Sequence, residues 1–483
     1  MQPTTDGARH TGRRVLVNTG ALTGASLYRI GMSFVLQLLI ARRLGVDALG
    51  HYTIAMAYLN VSQVLSELGL PSLLVRDLAQ SPWRRRSYFR AQLLLQFGAA
   101  LLVWVGLVLL SFVLPYGETT QISLWLVGAT LPLYAASSTA QTLFQAGERM
   151  ELVMGTEIFV NTLILVFSLV ILWRGGNEMM LIAVIVVAQV CSTAICLWLV
   201  PRSKLLAVPQ EGGSVARLPL LRQAMPFLGL SLGDVLLQRM DILLLSIFAG
   251  PMVTGIYSAA YNVVRVLMKL VQSFWKALYP TLSRLHRQAQ DQYERLARLG
   301  LRYGLLLLMP LATIGAAVAN GLFALVFGPE YTASAVVFQI LIWSAPLFLF
   351  ENYAITLLMV ERHPRSSLGL LALHIGVTAV ALPLLTQRGG AQGAAWAGVL
   401  AGMVGATAGL WMLHHYEAPV QLQRLWGIFA AAAIAGIVAW LLPVPWLLQV
   451  AAGGAVYLLV CWLARALTAA DVQTLRRTLA HRG

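Results

Sequence analysis

Apolar residues gather along this chain into runs of about twenty positions, separated by short clusters of Gly, Pro and charge. Fourteen runs can be read: 17–41, 50–74, 91–114, 120–145, 152–173, 179–200, 225–249, 254–278, 302–327, 334–359, 368–386, 392–414, 425–442 and 445–466. A helix of that length crosses the ~30 Å hydrocarbon layer of a bilayer. The pattern therefore predicts an all-α, polytopic membrane protein of about fourteen transmembrane helices. The connections on one side are all short (RRLGVD, PYGETT, WRGGNE, AGPMVT, GPEY, TQRGGA and PVP). Those on the other side are longer, notably 201–222 and 279–302. In the second of these, Leu282, Leu285, Leu296 and Leu299 recur among charges at roughly helical spacing. Two readings stand for it: a helix lying on the membrane surface, or a solvated charged connector.

Two of the short turns carry the same phrase. GVDALGHYTIA (Gly45 to Ala55) nearly recurs as GPMVTGIYSAA (Gly250 to Ala260), both reading G-x4-G-x-Y-[ST]-x-A, 205 positions apart. The first Gly falls where a helix ends, a position that favours the left-handed backbone glycine tolerates. The second opens the return helix, and Tyr52 and Tyr257 fall at the membrane–water boundary, where amphipathic rings are favoured. The offset spans six segments, and an even number of crossings preserves orientation. The chain is thus expected to be two parallel repeats, pseudo-symmetric six-helix bundles at 17–200 and 225–414. A linker at 201–224 joins them, an additional helix pair occupies 425–466, and tails lie at 1–16 and 467–483. Parallel repeats of this kind are a transporter arrangement, with the substrate site between the halves.

Composition agrees: 58% of residues are apolar and only 11% charged, with a mean hydropathy of +0.74, against roughly 25% charged in soluble domains. The first run is too long for the apolar core of a cleavable signal peptide and is expected to be a retained helix. Cys191, Cys196 and Cys461 all fall in apolar runs, which points away from a disulfide framework or a zinc cluster. A net charge of +15 invites nucleic acid as a partner, but its distribution argues otherwise. With the N-terminus inside, the inner segments hold 26 Lys and Arg, while the outer loops hold only Arg42, Arg43, Arg174 and Arg388. This is the positive-inside bias, so both termini are expected to be cytoplasmic. The basic inner face would also attract anionic lipid headgroups.

Four cations remain inside helices: Arg29, Arg239, Arg265 and Lys269. A charge at the bilayer centre needs a partner or water. They are confined to segments one, seven and eight, the neighbourhood of the repeated phrase, and Arg265 and Lys269 share a face by their i, i+4 spacing. Asn60, Gln63 and Glu67 form a polar stripe on segment two. Together these residues predict a polar, net cationic chamber for an anionic substrate, with Arg and Lys suited to phosphate. Asn60 and Gln63 join the four cations as substrate-binding candidates. Glu67, Asp234, Asp241 and Glu351 are candidates for ion coupling or for pairing with those cations. Glu351, Asn352 and His374 are also candidates for proton relay. No P-loop, G-x-S-x-G or H-E-x-x-H motif is present, so an enzyme is not expected, nor is a cofactor or a metal.

At this level the chain resembles a known family. LLIARRLGVDALGHYTIAMAYLNVSQVLSELGLPSLLVRDLA (Leu38 to Ala79), PFLGLSLGDVLLQRMDILLL, FGPEY (Phe327 to Tyr331) and GGAQGAAWAGV (Gly389 to Val399) resemble, in order and spacing, polysaccharide-export flippases of the Wzx type. These belong to the multidrug/oligosaccharidyl-lipid/polysaccharide superfamily. The resemblance implies two six-helix bundles facing each other in a V, and alternating access. It also implies transport of an undecaprenyl-diphosphate-linked oligosaccharide from the inner to the outer leaflet of the bacterial cytoplasmic membrane, for surface polysaccharide biosynthesis. Implied partners are that lipid-linked glycan, membrane lipids and polysaccharide assembly proteins; nucleic acid is not among them. In the related lipid II flippases cations of helices one, two and eight line the chamber; Arg29, Arg265 and Lys269 match two of these helices. Segment two has Arg76 only at its inner end, a departure from that pattern. An ion-coupled exporter of drugs or small metabolites of the same superfamily is the alternative.

Overall fold

A computed structural model describes residues 5–207, 216–416, 418 and 425–464, with side chains described from Gly24 onward, apart from those of residues 25–27, 79 and 82. The tail 467–483 and the centre of the linker, 208–215, lie outside the described residues. Among those described there is no strand. The helices are α1 (Thr5–Glu67), α2 (Leu70–Gln80), α3 (Arg85–Val113), α4 (Glu118–Ala129), α5 (Leu131–Ala146), α6 (Met150–Trp173), α7 (Glu178–Arg202), α8 (Arg217–Gln288), α9 (Gln290–Ala317), α10 (Ala319–Val326), α11 (Thr332–Leu341), α12 (Ser344–Val360), α13 (Pro364–His415), α14 (Trp426–Leu441) and α15 (Trp446–Leu463). The predicted tail 1–16 is helical from Thr5.

Three of these rods are two spans in one. α1 breaks at Gly45 (φ 85°, ψ −172°), α8 at Gly250 (φ 77°, ψ −176°) and α13 at Gly390 (φ 53°, ψ −130°). A side chain strains such backbone and glycine does not, so the first glycine of the repeated phrase does what its position predicts. Conversely, α4 with α5, α9 with α10, and α11 with α12 are spans interrupted near Thr130, Val318 and Trp343. With those splits and joins the predicted fourteen segments are found among the described residues. The chain is a multi-pass membrane protein.

Residues 1–255 form one compact unit and 256–483 another. In the first, α1 packs on α3, α4 and α6, and α5 packs on α3 and α7. A polar seam crosses this packing. Gln92 donates to Thr142 Oγ1 at 3.0 Å, the Thr139 hydroxyl donates to Gln96 Oε1 at 3.1 Å, and Gln96 donates to the Glu67 carbonyl at 3.2 Å. Gln92 and Gln96 are fully buried. In hydrocarbon, where apolar burial gives helices little reason to associate, such bonds and close packing of small residues hold them together.

The second unit packs α12 on α13 and on α9. The additional pair α14–α15 belongs here. Its alanine face (Ala431, Ala432, Ala435, Ala439) is buried in the same core as Leu305, Leu308 and Met309 of α9, and Tyr457 donates to the Leu306 carbonyl at 2.9 Å. The connector 279–302 is helical, as the first of the two readings expects, apart from a break at Ala289. α8 stays helical to Gln288 and α9 starts at Gln290. Leu282 is fully buried in the unit's core, and Leu285 and Leu296 pack against it. Three of the four leucines of the stripe thus find protein neighbours.

Candidate functional site

The repeated phrase makes a contact that its spacing did not announce. A Cβ on Gly50 would lie 2.0 Å from the carbonyl oxygen of Pro251, and one on Gly255 would lie 2.0 Å from that of Val46. Val46 and Pro251 each directly follow the break glycine of their own copy. The two turns therefore meet reciprocally, Gly50 on Pro251 and Gly255 on Val46. The second glycine of the phrase allows backbone to approach backbone, beyond opening a return helix.

In the first unit, α1 carries Arg29, Asn60, Gln63 and Glu67. Glu67 accepts from the Tyr134 hydroxyl at 2.7 Å and from Ser138 at 3.3 Å, both on α5. Arg29 is exposed and near enough to act electrostatically on Tyr134, as does Glu157 of α6. Tyr134 thus bonds to Glu67 and feels the charges of Arg29 and Glu157. Tyr134 and Ser138 were not singled out in the sequence; the only hint was a polar run, YAASSTAQ, inside an apolar segment. Asn60 turns back to the Met56 carbonyl of its own helix. Asp234, exposed, accepts from Gln238 at 2.8 Å and pairs with no arginine among the described residues. Asp241 accepts the Ile242 amide at 2.8 Å, and Arg239 lies near Tyr52; both Arg239 and Asp241 have further partners.

Arg265 and Lys269 lie in the second unit on α8, both half-buried, and Lys269 donates to Gln272 at 3.1 Å. Neither Arg29 nor Arg265 forms an ion pair among the described residues. Glu351 and His374 do come together: Nδ1 lies 3.1 and 3.0 Å from the two carboxylate oxygens. Asn352 donates to the Phe348 carbonyl and stays apart from them. No grouping of His, Cys, Asp and Glu able to hold a metal occurs among the described residues.

Outside the spanning segments, Glu361 accepts from the Tyr293 hydroxyl at 2.8 Å. Burial raises its carboxyl above the usual range, while Tyr293, His286 and His363 pull it back. A raised folded pKa means stability that is present below the ordinary carboxylate value and lost as pH rises through the raised one. Glu361→Gln keeps an acceptor for Tyr293 and removes that loss. The variant is expected to melt above the wild type at pH 8, with the difference closing toward pH 4.5. Each kcal/mol gained corresponds to ~2–4 °C. Melting curves of detergent-purified protein across that range check it; a gap that widens on acidification would refute it.

Comparison with known proteins follows this geometry. The family model described as polysaccharide biosynthesis protein matches residues 15–286. No curated protein matches in sequence. Among solved structures, the chain is similar to the lipid II flippase MurJ in an inward closed conformation, with TM-score 0.73 and 12% identity over 92% of this chain and 98% of that one. It is also similar to an inward-facing multidrug resistance MATE family transporter of the MOP superfamily, with TM-score 0.63 and 12% identity over 80% and 95%. A Vibrio cholerae MATE transporter in its bent form matches with TM-score 0.52 and 14% identity over 85% and 98%. At these identities the structures speak for the fold alone, which this chain shares with them. The family model spans more than half of the chain, and the chain belongs to the polysaccharide biosynthesis protein family.

Proposed function

We propose that this protein is a flippase that carries an undecaprenyl-diphosphate-linked oligosaccharide from the cytoplasmic to the outer leaflet of the bacterial cytoplasmic membrane by alternating access, for surface polysaccharide biosynthesis. The supporting observation is the pair Arg29 and Arg265, guanidiniums within spanning helices that no carboxylate neutralises among the described residues. A charge at mid-membrane costs about 2.5–3.5 kcal/mol on insertion scales, and an anionic headgroup offsets that cost. Arg offers a diphosphate two parallel donors, Lys a point charge. In this reading Arg29, Arg239, Arg265 and Lys269 take the diphosphate, and Asn60 and Gln63 meet sugar hydroxyls. The prenyl tail stays in lipid, and anionic lipids sit on the basic cytoplasmic face. Polysaccharide assembly proteins are the partners that receive the product.

A second reading, an ion-coupled exporter of small molecules, draws support from Glu67. It is a membrane carboxylate held by Tyr134 and Ser138 rather than by a cation, as a proton or sodium site would be. Asp234, Asp241 and Glu351 would serve the same end.

The deciding experiment reconstitutes purified protein in liposomes containing a lipid-linked oligosaccharide and follows headgroup exposure to a membrane-impermeant reagent. Headgroup movement is expected; cationic dye transport without it would favour the exporter. Orientation is read in the same preparation from cysteines at Gly117 and Gly389, where an added Cβ meets open space. Both are expected to react from the face opposite the termini.

A further inference from the structure

Glu351 is 3% exposed and His374 22%. They lie on α12 and on the first half of α13, joined by the short connection 361–363. Counted from that connection, each is about six to nine residues inside its predicted span, or ~9–13 Å at 1.5 Å per residue. The two side chains therefore meet at one depth, within the membrane. The slot for the carboxylate is built into the backbone: a Cβ on Gly405, in the second half of α13, would lie 2.9 Å from the carboxylate carbon and 3.0 and 3.1 Å from its oxygens. A larger residue there would push the Glu351 carboxylate from its place.

The choice of partner is informative. A fixed cation would give the pair a constant charge. Histidine is the side chain whose ordinary titration falls between pH 5 and 8, so it is the partner suited to take up and give back one proton. His374 has a further partner of its own, and the titratable groups on the packed elements are these. On α12 the other titratable residue is Tyr353. On α13 none lies between Arg365 and Arg388 except His374, and none in the second half before His414. On α9 only Tyr303 follows Arg302. On α8, within the same unit, Arg265 and Lys269 are the membrane cations, and Tyr257 and Tyr261 the phenols. The imidazole is the one ionic partner the carboxylate has among the described residues.

Resting on the flippase reading above, we propose that Glu351 and His374 form the proton-coupling site of this transporter. With neutral imidazole, Nδ1–H donates to the carboxylate and the pair carries −1. One proton taken from water onto the ring gives imidazolium against carboxylate, with net charge zero. The same proton returns to water when the site next opens to the other side, and no other bond changes. The neutral state is the cheaper one to bury, so the fold favours proton uptake when the site closes and release when water reaches it. Movement of the lipid-linked headgroup thereby draws on a proton gradient.

The test has two arms. In the first, purified wild type, Glu351→Gln and His374→Gln are titrated between pH 8 and 5.5 with a pH electrode. Wild type is expected to bind close to one proton more than either variant; equal uptake overturns the proposal, whatever the substrate. In the second, liposomes carrying lipid-linked oligosaccharide receive an imposed pH gradient. Wild-type translocation is expected to change at least threefold with the sign of the gradient. Each variant should keep one gradient-independent rate, while Glu351→Asp keeps part of the response. A merely structural bond would lower the melting temperature and leave the gradient response of the surviving protein intact, which also overturns the proposal. Should wild type move no glycan lipid at all, the flippase reading fails, and the first arm still decides whether the pair takes the proton.

Discussion

Replacing Gly50 or Gly255 by alanine is expected to destabilise the protein strongly. Each added Cβ would sit 2.0 Å from a backbone carbonyl oxygen, where no side chain can swing aside and both strands of main chain must separate. Overpacking costs about 1–3 kcal/mol when side chains can adjust, and a backbone clash belongs at the top of that range or above it. At ~2–4 °C per kcal/mol, a fall of roughly 6–12 °C follows in the melting temperature of detergent-purified protein. The contact is reciprocal, so opening it with one methyl relieves the other. The double variant is expected to lose clearly less than the sum of the two single losses, as coupled neighbours do. Gly98→Ala and Gly106→Ala in α3 are the controls. Their Cβ atoms meet nothing within 4 Å, and alanine in place of helical glycine gains ~0.5–1 kcal/mol. Unchanged melting of Gly50→Ala would mean that the two copies of the phrase do not meet as described.

The second large effect concerns Arg29 and Arg265. Alanine at either is expected to reduce lipid-linked glycan translocation by at least tenfold, from the ~1.5–3 kcal/mol that each hydrogen bond to a charged group contributes. Protein level and melting temperature should stay near wild type. The reason is the lack of an ion-paired carboxylate at either residue among the described residues: removing the cation leaves no acid buried and unpaired, the usual source of large losses. Lysine is expected to restore part of the rate, because charge survives and the bidentate fork does not. Translocation by both alanine variants at the wild-type rate would remove the headgroup role. Failure of both to accumulate in the membrane would instead point to a structural role.

Hydrophobic patterning carried most of the architecture. Fourteen apolar runs became the fourteen spans, because in hydrocarbon a helix is the way an isolated segment satisfies its own backbone, and twenty apolar residues leave little else to decide. The break glycines at 45 and 250 were legible for the same local reason: positive φ is a property of one residue. The candidate charges were equally visible, since Arg29, Arg265, Glu67 and Glu351 interrupt apolar runs.

What each charge touches was not legible, because partners sit far apart along the chain and their meeting depends on which helices pack. The structure assigned Glu67 to Tyr134 and Ser138, left Asp234 with Gln238, and joined Glu351 to His374 across a slot that Gly405 opens. It took Leu282 from an expected membrane surface into a protein core, because extended α8 and α9 offer it apolar neighbours before lipid can. It also gave the second glycine of the repeated phrase a meaning that no local rule contains. Gly50 and Gly255 are small because another backbone passes there, and only the assembled helices bring residues 205 positions apart within reach of each other.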